Sequence, residues 1–325
     1  MTRSGPQHCG VRAVAAALAL LTIGGCAARP GADGGSGAEA AAAPSMVDAA
    51  GAGVTLEKLA DRALGADVVI IGEEHDNARA QALAAELWDR VLAREPEPAV
   101  NPALALEFFE RDEQLLIDDY LAGVVSTQRA FERDAGRTEG NYPAGHKRML
   151  EAAKAAGRPV LAANVPRRYA TYAREQGFDA LRELSDDRRA MFTIPEPPAL
   201  EEYRRRFNTV MKPMLEQHAP ESAPPPGPDG QPPDAAERAR ETEERLEGLF
   251  RGQILKDATM ADVVARAVEA GHGPVFLVVG RFHTDSQGGT LAYLRRRLPE
   301  ADILTVSVTR AAEEEAPADV VVIAP

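Results

Sequence analysis

The sequence predicts an α/β protein, a mostly parallel sheet flanked by helices and carrying a helical cap. Three observations support that reading. Short, uniformly apolar, β-branched runs such as residues 67–72 and 275–280 read as strands buried on both faces. Stretches with apolar residues at three–four spacing lie between them, the alternation of a parallel sheet covered by helices. Three of the runs also end on glycine or a carboxylate beside further titratable residues, where open α/β sheets collect ligands.

Residues 1–26 read as an export signal. Arg3 and Arg12 accompany an apolar stretch from Val14 to Ile23 that is too short to span a bilayer. Ile23-Gly24-Gly25-Cys26 resembles the lipobox of bacterial lipoproteins, in which Cys26 would be lipidated; a cleaved signal with a chance cysteine is the alternative. The lipobox reading anchors the protein in the outer membrane facing the periplasm if the source is Gram-negative, and in the cell membrane otherwise. Cys9 lies in the signal, so residues 27–325 hold no cysteine for a disulfide, a zinc–thiolate site or a nucleophile. Residues 27–53, rich in Ala and Gly, are expected to be a flexible tether.

Residues 54–325 suffice for one α/β domain with a cap. Strands are expected at 67–72, 103–108, 159–163, 275–280, 302–308 and 319–324, the last two pairing antiparallel at an edge across an acidic connection. Helices are expected at 77–95, at 112–123 with Asp112 as cap and Gly123 as stop, and at 147–157. Residues 165–218 read as helical without a strand, and 235–270 as one long helix. Between them, residues 219–234 hold seven prolines and read as a solvated loop. The cap is therefore expected over about 165–270.

The long helix carries an anomaly. Its apolar stripe (Leu246, Leu249, Phe250, Ile254, Met260, Ala261, Val264, Val268) also includes Gln253 and Asp257. Either Asp257 sits at the wet margin, paired with Arg251 or Lys256, or this helix lines the strand-end site with both polar residues.

The first strand is followed by Glu73, Glu74 and His75, the second ends on Glu107, and the third is followed by Arg281-Phe282-His283. Continued extension would put Glu73 and His75 on one side. Imidazole and carboxylate are ligands for Zn, Mn, Fe or Co, so Glu73, His75, Glu107 and His283 form a candidate divalent transition-metal cluster. Each histidine alone reads equally as a hydrogen-bonded structural residue. No other chemistry competes strongly: there is no Gly-x-Ser-x-Gly elbow and no Walker-type loop. No basic stripe exists, and a net charge of −13 argues against nucleic acid.

Five blocks then occur in order: Gly72-Glu-Glu-His-Asp-Asn77; Leu106-Glu-Phe-Phe-Glu-Arg111 with Gln114; Ala163-Asn-Val-Pro-Arg167; Gln253 with Asp257-x-x-Met-Ala261; and Gly280-x-x-His283. Together they resemble the ChaN family of haem-binding lipoproteins, within a superfamily that includes the Tiki proteins and erythromycin esterases. The resemblance covers about residues 55–308. It implies an α/β fold with a helical cap and haem held through a histidine, in an arrangement that includes a homodimer around haem. His75 is the position carried over as the iron contact. Glu73 and Asn164 are further candidate haem-binding residues, Arg111 and Arg167 candidate partners for the propionates through charge-assisted hydrogen bonds, and Glu74, Gln253 and Asp257 candidate supporting residues. A tyrosine ligand is also implied, with Tyr142, Tyr169 and Tyr203 as candidates. The Tiki branch implies instead a metal-dependent hydrolase using Glu73, His75, Glu107 and His283. The absence of C-x-x-C-H excludes covalent haem attachment.

Overall fold

The computed structural model describes residues 45–94, 101–138, 141–196, 200–217, 235–311 and 317–324. Cys26 and the proline-rich stretch 219–234 lie outside the described residues.

The described chain forms a seven-stranded, mostly parallel sheet with helices on both faces, the predicted α/β class. Its strands are β1 (Ser45–Asp48), β2 (Val68–Glu73), β3 (Ala103–Glu110), β4 (Val160–Asn164), β5 (Val275–Gly280), β6 (Ile303–Thr309) and β7 (Val320–Ile323), in the order β1-β7-β6-β2-β5-β3-β4. The chain first moves outward from β2 to β3 and β4, then returns to insert β5 between β2 and β3. That return puts the carboxyl ends of β2, β5 and β3 side by side.

Strand alternation sorts the core into two layers. Val69, Ile71, Leu104, Leu106, Phe276, Val278, Leu304 and Val306 face one cluster, completed by helices α1 (Leu56–Gly65), α2 (Ala78–Ala93), α3 (Gln114–Leu121), α4 (Gln128–Asp134) and α5 (Ala144–Ala155). Its centre is Trp88, fully buried with its ring edge-on to Phe276 at 5.0 Å. On the opposite face Val68, Ile70, Ala103, Ala105, Val275, Leu277 and Val279 meet α9 (Ala235–Glu269) and α10 (Gly289–Arg297). Alanines on this face keep the sheet surface low, so α9 lies close over β3, β4 and β5.

The described part of residues 165–218 holds helices and no strand, as predicted: α6 (Arg167–Arg182), α7 (Asp186–Arg189) and α8 (Glu201–Gln217). Helix α6 packs against α9 at Gly248 and Gly252. A Cβ at either would lie 2.9 Å from Arg174 O or 3.3 Å from Ala170 O. The second half of α9 is a sheet-covering helix, so the predicted cap and the flanking layer share one element.

Three local expectations change. The last two strands pair in parallel, Val306 opposite Val320 and Thr309 opposite Ile323, rather than antiparallel. The cause is Asp319, whose carboxylate accepts from the Thr305 amide at 2.8 Å and whose own amide donates to Thr305 Oγ1 at 2.9 Å. This pins the start of β7 beside the early part of β6, so both must run the same way. The antiparallel edge is instead supplied by β1, which pairs with β7 inside the stretch read as tether. Asp112 is not the cap of its helix. Glu110 and Glu113 form a reciprocal capping box around a 3₁₀ turn at Arg111–Glu113, and Asp112 pairs with Arg168. Gly123 and Gly157 do stop their helices, with φ of +79° and +64°.

The α2–α5 crossing rests on Gly145, where a Cβ would lie 2.5 Å from Gln81 O. Gly145→Ala is expected to cost about 1–3 kcal/mol through overpacking, measured as a lower urea midpoint with an unchanged m-value.

Candidate functional site

Parallel register brings the three strand ends together. Glu73 lies opposite Gly280 and Leu106 opposite Val278, so Glu107 reaches the end of β5, where its Oε2 accepts the Gly280 amide at 2.7 Å. Beyond Glu73 the backbone turns, the Asn77 amide bonding Glu74 O at 2.8 Å. Asn77 caps α2 by accepting from the amides of Arg79 and Ala80, both at 3.1 Å. His75 is thereby held half-exposed over the sheet edge. Gln81 of α2 donates to its carbonyl at 2.7 Å.

The side chains form an alternating row of carboxylates and imidazoles. Asp257 Oδ1 meets His283 Nδ1 at 2.6 Å, and His283 Nε2 lies 3.4 Å from Glu107 Oε1. Glu107 Oε2 lies 3.8 Å from His75 Nε2, and His75 Nδ1 meets Glu73 at 3.2 Å. Glu73 finally meets His146 Nε2 at 3.0 Å. Glycines make the approach feasible: a Cβ on Gly280 would lie 2.7 Å from His75 Nε2, and one on Gly289 would lie 2.3 Å from Asp257 Oδ2.

Both ends of the row are buried. Asp257 has no exposed surface and takes two more donors, Thr290 Oγ1 at 2.7 Å and the Tyr203 hydroxyl at 3.0 Å. Gln253 donates to the Tyr203 hydroxyl at 2.9 Å and lies 3.2 Å from His283 Nδ1. The helix stripe thus lines the site, and Arg251 and Lys256 are not the partners of Asp257. At the other end His146 packs its ring against Phe108, which stacks nearly parallel on Tyr142 with centroids 5.2 Å apart.

Charge alternation sets the protonation states. Burial opposes ionisation of Glu107, but the neighbouring His283 charge outweighs it, and the carboxyl is held well below its ordinary range. Glu73 is also lowered; burial would raise it, and hydrogen bonds from His146 and His75 prevail. Burial would lower His283, yet Asp257 and Glu107 raise it to about 10. His75 is raised chiefly by its hydrogen bond to Glu73.

The structure therefore unites Glu73, His75, Glu107, His283, Gln253 and Asp257, with Tyr203 from the cap. It does not bring in the remaining predicted residues. Glu74 points away, 3.1 Å from Arg310 and 4.0 Å from Arg281. Asn164 and Arg167 stand at the end of β4, two strands from β5, and Asn164 Oδ1 is buried without a partner. Arg111 makes no ion pair among the described residues; burial and then the charge of Arg266 lower its guanidinium. Tyr169 belongs to a separate cluster with Phe192, while Tyr142 touches the row through Phe108. Among the described residues no three His, Asp or Glu side chains are grouped to hold a metal ion, because these groups pair with one another. His146 escaped the sequence reading. It sits on the buried face of α5 with Met149, Leu150 and Ala153, the spacing of an ordinary core histidine.

A mostly parallel α/β sheet here carries a titratable row across three adjacent strand ends, the place where such sheets collect ligands. The chain belongs to a family described as haem-binding uptake, Tiki superfamily, ChaN, whose sequence model matches residues 59–294. A solved structure of ChaN of Campylobacter jejuni, described as showing cofacial heme binding, is similar in fold. It has 17% identity and a TM-score of 0.64, with 87% of this chain and 97% of that one covered. A mutant of the erythromycin esterase EreC in its open conformation matches at a TM-score of 0.42 and 16% identity, over 82% of this chain and 78% of that one. The type III effector HopBA1 matches at 0.39 and 14%, over 82% and 91%. No curated protein sequence matches the chain.

Removing the buried charge tests the row. Asp257→Asn is expected to cost about 3–5 kcal/mol, because His283 loses its counter-charge. The pH profile follows from the shifts. His283 is raised above 6.5, so its contribution is complete below pH 6.5 and is lost as pH climbs toward about 10. Glu107 and Glu73 are lowered from 4.5, so theirs is complete above pH 4.5 and is lost in acid. Thermal melts should be most favourable between these limits, and Asp257→Asn should flatten the alkaline decline.

Proposed function

We propose that this protein is a lipid-anchored haem-binding protein of haem or iron uptake, with His75 contacting the haem iron. The observation that carries the reading is the state of His75. Its Nδ1 is tied to the Glu73 carboxylate while half of the side chain is exposed, and a carboxylate-held imidazole is the usual form of a metal-ligating histidine; Nε2 stands 3.8 Å from Glu107.

Aromatic side chains stand at both ends of the row. Phe108 and Tyr142 flank the row on one side, and Phe282 with Tyr203 and Phe250 on the other, Tyr203 and Phe282 lying 5.5 Å apart. The Arg167 and Arg111 guanidinium groups make no ion pair within 4 Å among the described residues and would serve the propionates, with Asn164 at the end of β4 opposite Glu110. From β2 to β4 is three strand spacings, about 14 Å, a span suited to a porphyrin with its side arms. Bound haem would supply an iron centre; His75 would hold it, Glu73 would orient His75, and Arg111 and Arg167 would neutralise the propionates. A homodimer around the haem is part of the proposal. Anchoring rests on Cys26; no helix of the described residues is long and apolar enough to cross a membrane.

Haem added to the purified protein should give a saturable Soret shift, weakened more than roughly ten-fold in His75→Ala. Protons and iron compete for His75 Nε2, and its pKa is raised, so affinity should strengthen as pH rises through that raised value. A Soret spectrum untouched by His75→Ala, or stoichiometric Mn, Zn, Co or Fe in a preparation that refuses haem, would overturn the reading. Cys26→Ser should move the protein from the membrane to the soluble fraction.

A further inference from the structure

We propose that His146 is a positioning residue for His75, acting through Glu73. The proposal rests on the reading that His75 is the ligand-facing imidazole.

Four observations converge on it. His146 is only 4% exposed and directs Nε2 at Glu73, a carboxylate with no exposed side-chain surface, at 3.0 Å. An ionised carboxylate only accepts, so the two nitrogens that face Glu73, His146 Nε2 and His75 Nδ1, each carry a proton. His146 Nδ1 is buried without a partner, which leaves the ring one useful bond, the one to Glu73. The ring is also immobilised: it packs edge-on to Phe108 at 5.4 Å, and Phe108 is held between Tyr142 and the Arg137 guanidinium, the latter 4.4 Å from its centroid.

The helix crossing adds the geometry. Gly145, the residue before His146, lets α5 touch α2 at Gln81, and Gln81 in turn donates to the His75 carbonyl at 2.7 Å. One crossing thus grips His75 twice, its backbone through Gln81 and its ring through His146 and Glu73. The outcome is a fixed tautomer, Nδ1–H toward Glu73, which leaves Nε2, 3.8 Å from Glu107, as the unprotonated nitrogen of the half-exposed ring.

Glutamine and asparagine separate this role from packing, because only the glutamine amide reaches the place of Nε2. Long-range ¹H–¹⁵N NMR of the ligand-free protein, at a pH where His75 is neutral, reads the His75 tautomer directly. Wild type and His146→Gln should both show Nδ1–H. His146→Asn and His146→Leu should show a mixture with Nε2–H, and should bind haem about ten-fold or more weakly. Wild-type tautomer and affinity in both His146→Asn and His146→Leu would overturn the proposal. If His146→Leu does not fold, the Gln–Asn comparison decides alone. Should His75→Ala bind haem like wild type, the haem reading fails, while the tautomer measurement still judges His146.

Discussion

A carboxylate with no exposed surface must find donors, and Asp257 finds three: His283, Thr290 and Tyr203. They come from the turn after β5, from α10 and from α8, while Asp257 itself comes from α9. Four elements from both sides of the cap boundary are therefore tied at one point. The tie sets how deeply α9 settles on the sheet and holds His283 against Glu107. Gly289 belongs to the same constraint, since any side chain there would occupy the place of the carboxylate. Removing Asp257 would leave His283 buried beside Glu107 alone, a much weaker seat for a charged ring.

From that point order spreads by alternation. Each carboxylate in the row faces imidazoles and each imidazole faces carboxylates, so no two like charges are direct neighbours. Low dielectric at the buried ends strengthens the pairing, while the middle opens at His75. A row rigid at both ends and accessible near its centre suits binding: the accessible group is the one whose orientation is over-determined by its neighbours.

Much of this was legible in the sequence. The β2, β3 and β5 runs announce themselves because strands buried on both faces have no polar alternation, and their charged termini stand out against that background. Asp257 was visible only as an anomaly, since spacing places it on the apolar stripe but cannot say what faces the stripe. His146 was invisible for the opposite reason, being a single imidazole among core residues with nothing nearby to mark it. Arg111 shares a motif block with Glu107 but follows β3, and Asn164 and Arg167 belong to a block at the end of β4 that the sequence could not show to be the outer strand. The direction of β7 depends on the long-range contact between Asp319 and Thr305, and β1 is four residues without a period, adopted only because β7 offers an open edge.

That small edge strand fixes the end of the sheet at which the chain enters it. Ser45 lies opposite Ile323, at the carboxyl end of β7, and β7 runs parallel to the strands that carry the row. The preceding chain therefore leaves the sheet at the same end as His75, about 14 Å to the side by strand spacing.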